Sequence, residues 1–345
     1  MKVLVTGGTG FLGHEVVHRL VQAGHQVHVL TRKPADLRIP GAEPVAGDIT
    51  NISAWEERLR GFEACVHLVG ILRENPSSGI TFEKIHYNAT VDLLRSCGKM
   101  GVTRFIHISA NGVEKGLNTP YMRSKALAEQ AVRSSNLTWS IIRPSLIYGG
   151  EIGHANFVDM IRHHLKPLSH FPYFGDGSYR MAPISAREVA LSVVQCLADD
   201  KTAGKSYHLC GSETYTYKAM LLLINQAGNY RCKLFSLPMW LITHASSMLG
   251  GFSWFPVTSD MIKMLAAGND CPSGAVTQLD LGVAPASFKD WLNTGVLPEY
   301  PKVTAISEHS AAPVTTELHS TPVTQQLDSD AVTTRPLSPD EPGLP

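Results

Sequence analysis

A doubly wound parallel α/β sheet, followed by a smaller C-terminal lobe and a disordered tail, is the architecture this 345-residue sequence predicts. Three observations predict it. The chain opens MKVLVTGGTGFLG, a β-branched run that stops at glycines and restarts as a helix. Short apolar runs then alternate with helical periodicity as far as Ser109. From Val303 onward the composition turns to Thr, Ser, Pro and Ala, too polar to bury a core, so 303–345 is expected to be disordered. With 43% hydrophobic residues the chain can fill one large core over residues 1–150 and a lobe over 151–302 whose elements complete it.

Each element follows from its residues. Val3, Leu4 and Val5 form the first strand, and Phe11, Leu12, Val16, Val17, Leu20 and Val21 recur at helical spacing. Between them Gly8, Gly10 and Gly13 satisfy G-x-G-x-x-G: two glycines let a pyrophosphate approach the backbone, and the third lets the helix pack on the strand. Free N–H groups at the helix start then face an anionic phosphate. Gly7, Thr9, Gly10, Phe11, Leu12 and Gly13 are therefore the candidate dinucleotide cradle. The second strand, His25 to Thr31, delivers Arg32 and Lys33 where an NAD-selective site carries Asp or Glu. Two cations there favour a 2′-phosphate and hence NADP(H), with NAD(H) as the alternative. A third strand ends at Ala46-Gly47-Asp48-Ile49, and a helix is expected over Ser53 to Arg60. Ala64 to Gly70 is a nearly continuous apolar run of the kind a parallel sheet buries on both faces, and it places Leu68 and Gly70 at a strand end. A helix over Thr81 to Met100 and a strand over Arg104 to Ser109 follow.

Residues able to do chemistry come next. Ser109 closes the fifth strand at its carboxyl end, where open α/β sheets place their ligands. Pro120 then suits a helix start, and Tyr121 and Lys125, spaced i and i+4, share one face of that helix. A lysine ammonium near a phenol favours phenolate, which would lower the tyrosine pKa and let Tyr121 exchange a proton near neutral pH. Ser109 could hydrogen-bond the same oxygen. Other function classes lack support. Lys plus Arg and Asp plus Glu are 30 each, with no basic run to suggest nucleic acid. The six cysteines show no C-x-x-C spacing and read as reduced thiols of a cytoplasmic protein. No H-E-x-x-H occurs among the fifteen histidines, so no metal site is expected. The first strand begins at once, so no signal peptide is expected.

The constellation resembles the extended and atypical short-chain dehydrogenase/reductases. Thr6 to Gly13, Gly47-Asp48, Asn88, Ser109, Tyr121-x-x-x-Lys125 and Arg143-Pro144-Ser145-Leu146-Ile147-Tyr148-Gly149 carry the resemblance, which spans residues 1 to about 300. It implies that Asp48, beside Ile49, binds the adenine amine, Lys125 the nicotinamide ribose and the segment around Pro144 the nicotinamide. It further implies Tyr121 as acid/base, Ser109 as its partner and Asn88 as support for a proton relay. The fourth strand departs from the classical Asn-Asn-Ala-Gly with Leu68-Val69-Gly70, as atypical branches do. Pro167 to Arg187 and Ala266 to Trp291 resemble the atypical group that includes the nucleotide-binding accessory subunit of respiratory complex I and its bacterial relatives. Two functions follow as expectations: an NAD(P)-dependent oxidoreductase acting on a small-molecule carbonyl or hydroxyl, or a nucleotide-stabilised partner of respiratory complex subunits.

In the lobe, helices are expected over Phe157 to Leu165 and Ala186 to Ala198, a turn at Phe174-Gly175-Asp176-Gly177 and a strand over Ser206 to Cys210. Leu234 to Phe255 is strongly apolar but broken by Pro238, Gly250 and Gly251. It reads first as a helix packed beneath the lobe, and second as a docking patch for a partner or for the inner face of a membrane.

Overall fold

In the computed structural model the described residues are 1–116, 118–150, 156–249 and 258–298, all within the unit Met1–Ile306. Strands β1 (Lys2–Thr6), β2 (Gln26–Thr31), β3 (Ala42–Ala46), β4 (Ala64–His67), β5 (Arg104–Ile108) and β6 (Thr138–Pro144) lie in the order β3-β2-β1-β4-β5-β6. The strand Lys205–Leu209 extends the sheet beyond β6, and every pairing is parallel. The order reverses between β1 and β4, which opens a crevice at the carboxyl ends of these strands.

Strand alternation sorts the core into two layers. Val3 and Val5 face one side with Val27, Val29, Val66 and Ile106, beneath Val16, Val17 and Leu20 of helix α1 (Phe11–Gln22). Leu4 faces the other with Cys65 and Phe105, beneath Leu93, Leu94 and Cys97 of α2 (Ala89–Met100) and Val132 of α3 (Pro120–Arg133). After α4 (Phe157–Leu165), helix α5 (Ala186–Ala198) returns to the first layer with Val189, Ala190 and Val193. The lobe adds α6 (Tyr217–Ala227), α7 (Met239–Leu249), α8 (Ser259–Ala266) and α9 (Phe288–Thr294). Its own core joins Tyr148, Val158, Ile161, Met220, Phe288 and Trp291.

Four expectations need correction. Ser53 to Arg60 is two 3₁₀ turns, Ile52–Ala54 and Glu56–Leu59, interrupted at Trp55. A φ of −141° there turns the indole into the core, where its Nε1 donates to Asp48 O at 2.9 Å. The helix expected over Thr81 to Met100 begins as a π turn, Glu83–Asn88, before α2. Cys210 and Cys271 form a disulfide with Cα atoms 5.9 Å apart, so only Cys65, Cys97, Cys196 and Cys232 are free thiols. These partners are 61 residues apart in sequence and brought together by the fold, which no short spacing could reveal. The apolar run from Leu234 divides into a strand, Lys233–Leu237, paired in parallel with His170–Phe174, and α7. Trp240 is 65% exposed and Leu241 42%, so this part of the run lies on the surface and not beneath the lobe. No described helix is long and apolar enough to cross a membrane. Residues 250–257 and the tail over 303–345 lie outside the described residues.

The turn between β1 and α1 gives the first test. A Cβ on Gly13 would lie 2.2 Å from Gly7 O and 2.6 Å from Gly8 Cα, against backbone that cannot swing aside. Gly13→Ala is expected to destabilise the protein by about 1–3 kcal/mol. The readout is a lower urea midpoint at unchanged slope; a midpoint equal to wild type would contradict the close approach.

Candidate functional site

The glycine turn has the form the sequence predicts. Gly7 sits at φ +77° in the left-handed region, and Gly10 N donates to Gly7 O at 3.1 Å. Gly10 caps α1 without a side-chain bond, so the N–H groups of the first turn, at Phe11, Leu12 and Gly13, have no side-chain cap. A Cβ on Gly10 would meet nothing nearer than Gly7 O at 3.3 Å, which leaves its outer side open to a phosphate; Thr9 beside it is exposed. Leu68 crosses directly behind, its carbonyl carbon 3.1 Å from where a Gly7 Cβ would stand. At the end of β2 Arg32 is exposed, and its charge reaches Asp48. Asp48 accepts from Thr50 N at 2.8 Å and from Thr50 Oγ1 at 2.9 Å, and these bonds, ahead of Arg32, hold its carboxyl below the usual range. Ile49 is half-buried against the second core layer.

Across the crevice, Thr119 caps α3 by accepting from Met122 N at 3.2 Å, and Pro120 starts the helix. The cap sets the register that turns Lys125 inward. Lys125 is buried, its Nζ donates to Ile108 O at 3.1 Å, and it stands 3.4 Å from where a Gly70 Cβ would be. Burial pulls its pKa down to about 8, opposed in part by Glu129. Tyr121 is half-buried between two rings, with centroids 5.5 Å from Phe82 and 5.3 Å from His86, both edge-on. Contrary to the sequence expectation, its phenol is not lowered: burial pushes it up to about 12.

His86 is the residue that sequence reasoning missed. It lies on the inner side of the π turn, where Ile71 N donates to its Nε2 at 2.9 Å and its Nδ1 lies 2.9 Å from Ser124 Oγ. Ser124 Oγ donates to Tyr121 O at 2.7 Å, so it accepts from His86, which fixes the Nδ1–H tautomer. One neutral ring thus joins the loop after β4 to the first turn of α3. Asn88, named for the relay, is exposed on the opposite side of the same turn.

Ser109 is buried at the end of β5, and its Oγ has no hydrogen-bond partner among the described residues. Burial pushes the Glu129 acid up, and Arg143 more than reverses this through bonds of 2.8 Å from Nε and 2.6 Å from Nη2, with help from Arg133 at 3.1 Å. Glu129 is four residues beyond Lys125, a spacing that could have revealed it. Pro144, at the end of β6, accepts from Asn111 N at 3.0 Å. The structure therefore gathers Gly70, Tyr121, Lys125 and His86 at the end of β4, and gathers Gly7 to Gly13 with Leu68 beside β1.

A family model described as the NAD dependent epimerase/dehydratase family matches residues 3–210, more than half of the chain. The chain belongs to that family. The family's NAD(P)-binding Rossmann architecture accounts for the strand order, the switch point and the glycine turn together. Among curated proteins, the chain is 26% identical over 295 residues to the mitochondrial NADH-ubiquinone oxidoreductase 40 kDa subunit of Neurospora crassa, covering 83% of this chain and 76% of the relative. It is 24% identical over 275 residues to the photosystem II assembly factor Ycf39 of Synechocystis sp., covering 78% of this chain and 81% of that one. The UDP-glucose 4-epimerase of Thermotoga maritima, solved with UDP-glucose, shares the fold at a TM-score of 0.65 and 20% identity, over 85% of this chain and 96% of the epimerase.

Within this epimerase/dehydratase fold the buried histidines make a pH prediction. His67 on β4 accepts from Thr6 Oγ1 at 2.6 Å and donates to Thr90 Oγ1 at 3.1 Å, whose own proton goes to His86 O. Burial first, and the Lys125 charge second, lower both His67 and His86 to about 3. An unfolded histidine titrates near 6.5, so below that pH the unfolded chain takes up protons that the folded one refuses. Stability is complete above about pH 6.5 and falls as the pH drops toward 3, by up to about 1.4 kcal/mol per pH unit for each histidine. The melting temperature should fall from pH 6.5 to 4.5, less steeply in His86→Asn; equal slopes would count against a neutral, buried His86.

Proposed function

We propose that this chain holds NADP(H) across the glycine turn and works as an oxidoreductase on a carbonyl or hydroxyl carbon, with Tyr121 handling the proton. When bound, the nicotinamide supplies two-electron hydride chemistry at its C4. The chain's own residues do the rest. The open N–H groups at Phe11 to Gly13 take the pyrophosphate, and Arg32 the 2′-phosphate. Asp48 and Ile49 line the adenine side, while Leu68, Gly70 and Pro144 line the nicotinamide side.

The observation that carries the reading is Lys125, an ammonium buried beside Gly70 on the same helix face as Tyr121. A buried cation is costly unless something anionic or polar meets it, and the hydroxyls of a nicotinamide ribose would supply such partners. Tyr121, pushed up to about 12, keeps its proton at neutral pH and suits donation to a carbonyl oxygen that is gaining charge. This supports reduction as the favoured direction. Ser109, whose buried Oγ has no partner among the described residues, would hydrogen-bond the same substrate oxygen.

Titration calorimetry and turnover assays over a panel of carbonyl substrates test this. Arg32→Asp should weaken NADPH by about tenfold or more and NADH far less. Equal losses for the two nucleotides would remove the case for NADP(H). Tyr121→Phe should leave nucleotide affinity near wild type and abolish turnover, whereas unchanged turnover would sink its role as proton donor.

A second reading has its own support. The exposed side chains of Trp240 and Leu241 on α7, with Phe235 at 43% exposure just before it, suit a protein surface, and the Neurospora relative is a respiratory complex subunit. On that reading the nucleotide is structural and α7 docks on respiratory complex subunits at the membrane. Separation of gently solubilised native complexes by size decides: co-migration with a large assembly favours the subunit, and a small species favours the enzyme.

A further inference from the structure

We propose that Cys210 and Cys271 are a reversible dithiol–disulfide pair, a redox modification site that latches the segment 267–278 over the loop between Ser109 and Tyr121. The bond itself stands apart from the nucleotide reading; only its consequence for Tyr121 rests on it.

The pair sits where two parts of the chain meet. Cys210 is buried immediately after the edge strand Lys205–Leu209, while Cys271 is half-buried and the more accessible of the two. The segment around Cys271 has almost no regular structure, and its other anchors lie on either side of the bond. On one side Asn269 bridges to Met181, with Asn269 N donating to Arg180 O at 2.7 Å. On the other, His208 N donates to Val276 O at 2.8 Å, and Gln278 bonds the backbone of Cys210. Between these anchors the disulfide is the covalent tie to the sheet.

The same segment grips the loop that leads to Tyr121. Asn111, two residues beyond Ser109, donates from Nδ2 to Asp270 O at 2.9 Å and to Asn269 Oδ1 at 3.1 Å, and lies 3.9 Å from Cys210 Sγ. Lys115 Nζ reaches Ala267 O at 3.5 Å and Asp270 Oδ1 at 3.8 Å. The orientation of Asn111 is dictated from its other end. Arg143 Nη1 donates to His208 Nε2 at 3.0 Å, so His208 donates from Nδ1 to Asn111 Oδ1 at 3.0 Å, leaving the Asn111 amide to face the segment. Disulfide, Asn111, His208, Arg143 and Glu129 thus form one chain of contacts ending four residues from Lys125.

The switch needs a dithiol reductant. Its thiolate attacks Cys271 Sγ, the Cys210–Cys271 bond breaks, and Cys210 leaves as a thiolate that takes a proton. The second thiol of the reductant then attacks the mixed disulfide and releases Cys271; two electrons pass, the reductant ends as a disulfide and both cysteines as thiols.

The test begins with cells quenched in acid and alkylated with N-ethylmaleimide. Mass spectrometry of the full chain should find Cys65, Cys97, Cys196 and Cys232 alkylated and a peptide crosslinked through Cys210 and Cys271; six alkylated cysteines under every growth condition would overturn the pair. Hydrogen exchange then compares the oxidised chain, the chain reduced by dithiothreitol, and Cys271→Ser. Amides of residues 110–119 should exchange about tenfold faster in both reduced forms, and the melting temperature should fall by about 5–10 °C. Unchanged exchange there, with the melting shift present, makes the bond a plain staple and overturns the latch. NADPH affinity of the oxidised chain separates the two readings, because absent binding with the exchange difference intact refutes the nucleotide site and leaves the latch supported.

Discussion

The centre of this protein depends on one buried cation. Lys125 is held inside the crevice wall by the backbone carbonyl of Ile108 and by the charge of Glu129 one turn further along α3. Its field, added to burial, keeps His67 and His86 neutral, with His107 driven the same way by burial and by these neighbours. Neutrality in turn lets His86 use both ring nitrogens at once, one as acceptor and one as donor. A protonated ring would have two donors and would lose the Ile71 N–H. The loop at Gly70, the π turn and the first turn of α3 are thus joined by a ring that works only when uncharged.

The opposite side of the crevice follows a different constraint, set by space. Gly13 allows α1 to begin against the backbone of Gly7 and Gly8, and the helix start is aimed at the switch point in consequence. Charge on one side and close approach on the other meet over β1 and β4. The glycine turn and the Tyr121–Lys125 pair therefore meet at the segment Leu68–Gly70, although they come from distant parts of the Rossmann core.

Much of this was legible in the chain. The glycine spacing, the continuous apolar runs and the i, i+4 pairing of Tyr121 and Lys125 are local patterns, and local patterns fix strand, turn and helix face. Legibility failed where a long-range fact intervened. The phenol of Tyr121 looks acidic beside a lysine in sequence, yet burial among Phe82 and His86 raises it. Neither the burial of His86 nor the exposure of Asn88 is written in the spacing: the π turn Glu83–Asn88 buries His86 and leaves Asn88 exposed. Trp55 splits a helix because its indole has a partner seven residues back.

The sequence by itself determined the order of strands and helices, the glycine turn and the face that Tyr121 and Lys125 share, because each is written in spacings of a few residues. Tertiary structure alone decided which side chains are desolvated, which tautomers the histidines adopt and which cysteines pair. Those properties depend on neighbours distant in the chain, 38 residues between His86 and Ser124 and 61 between Cys210 and Cys271. Burial and partner geometry arise only when the sheet brings such residues within bonding distance, and no local pattern encodes them.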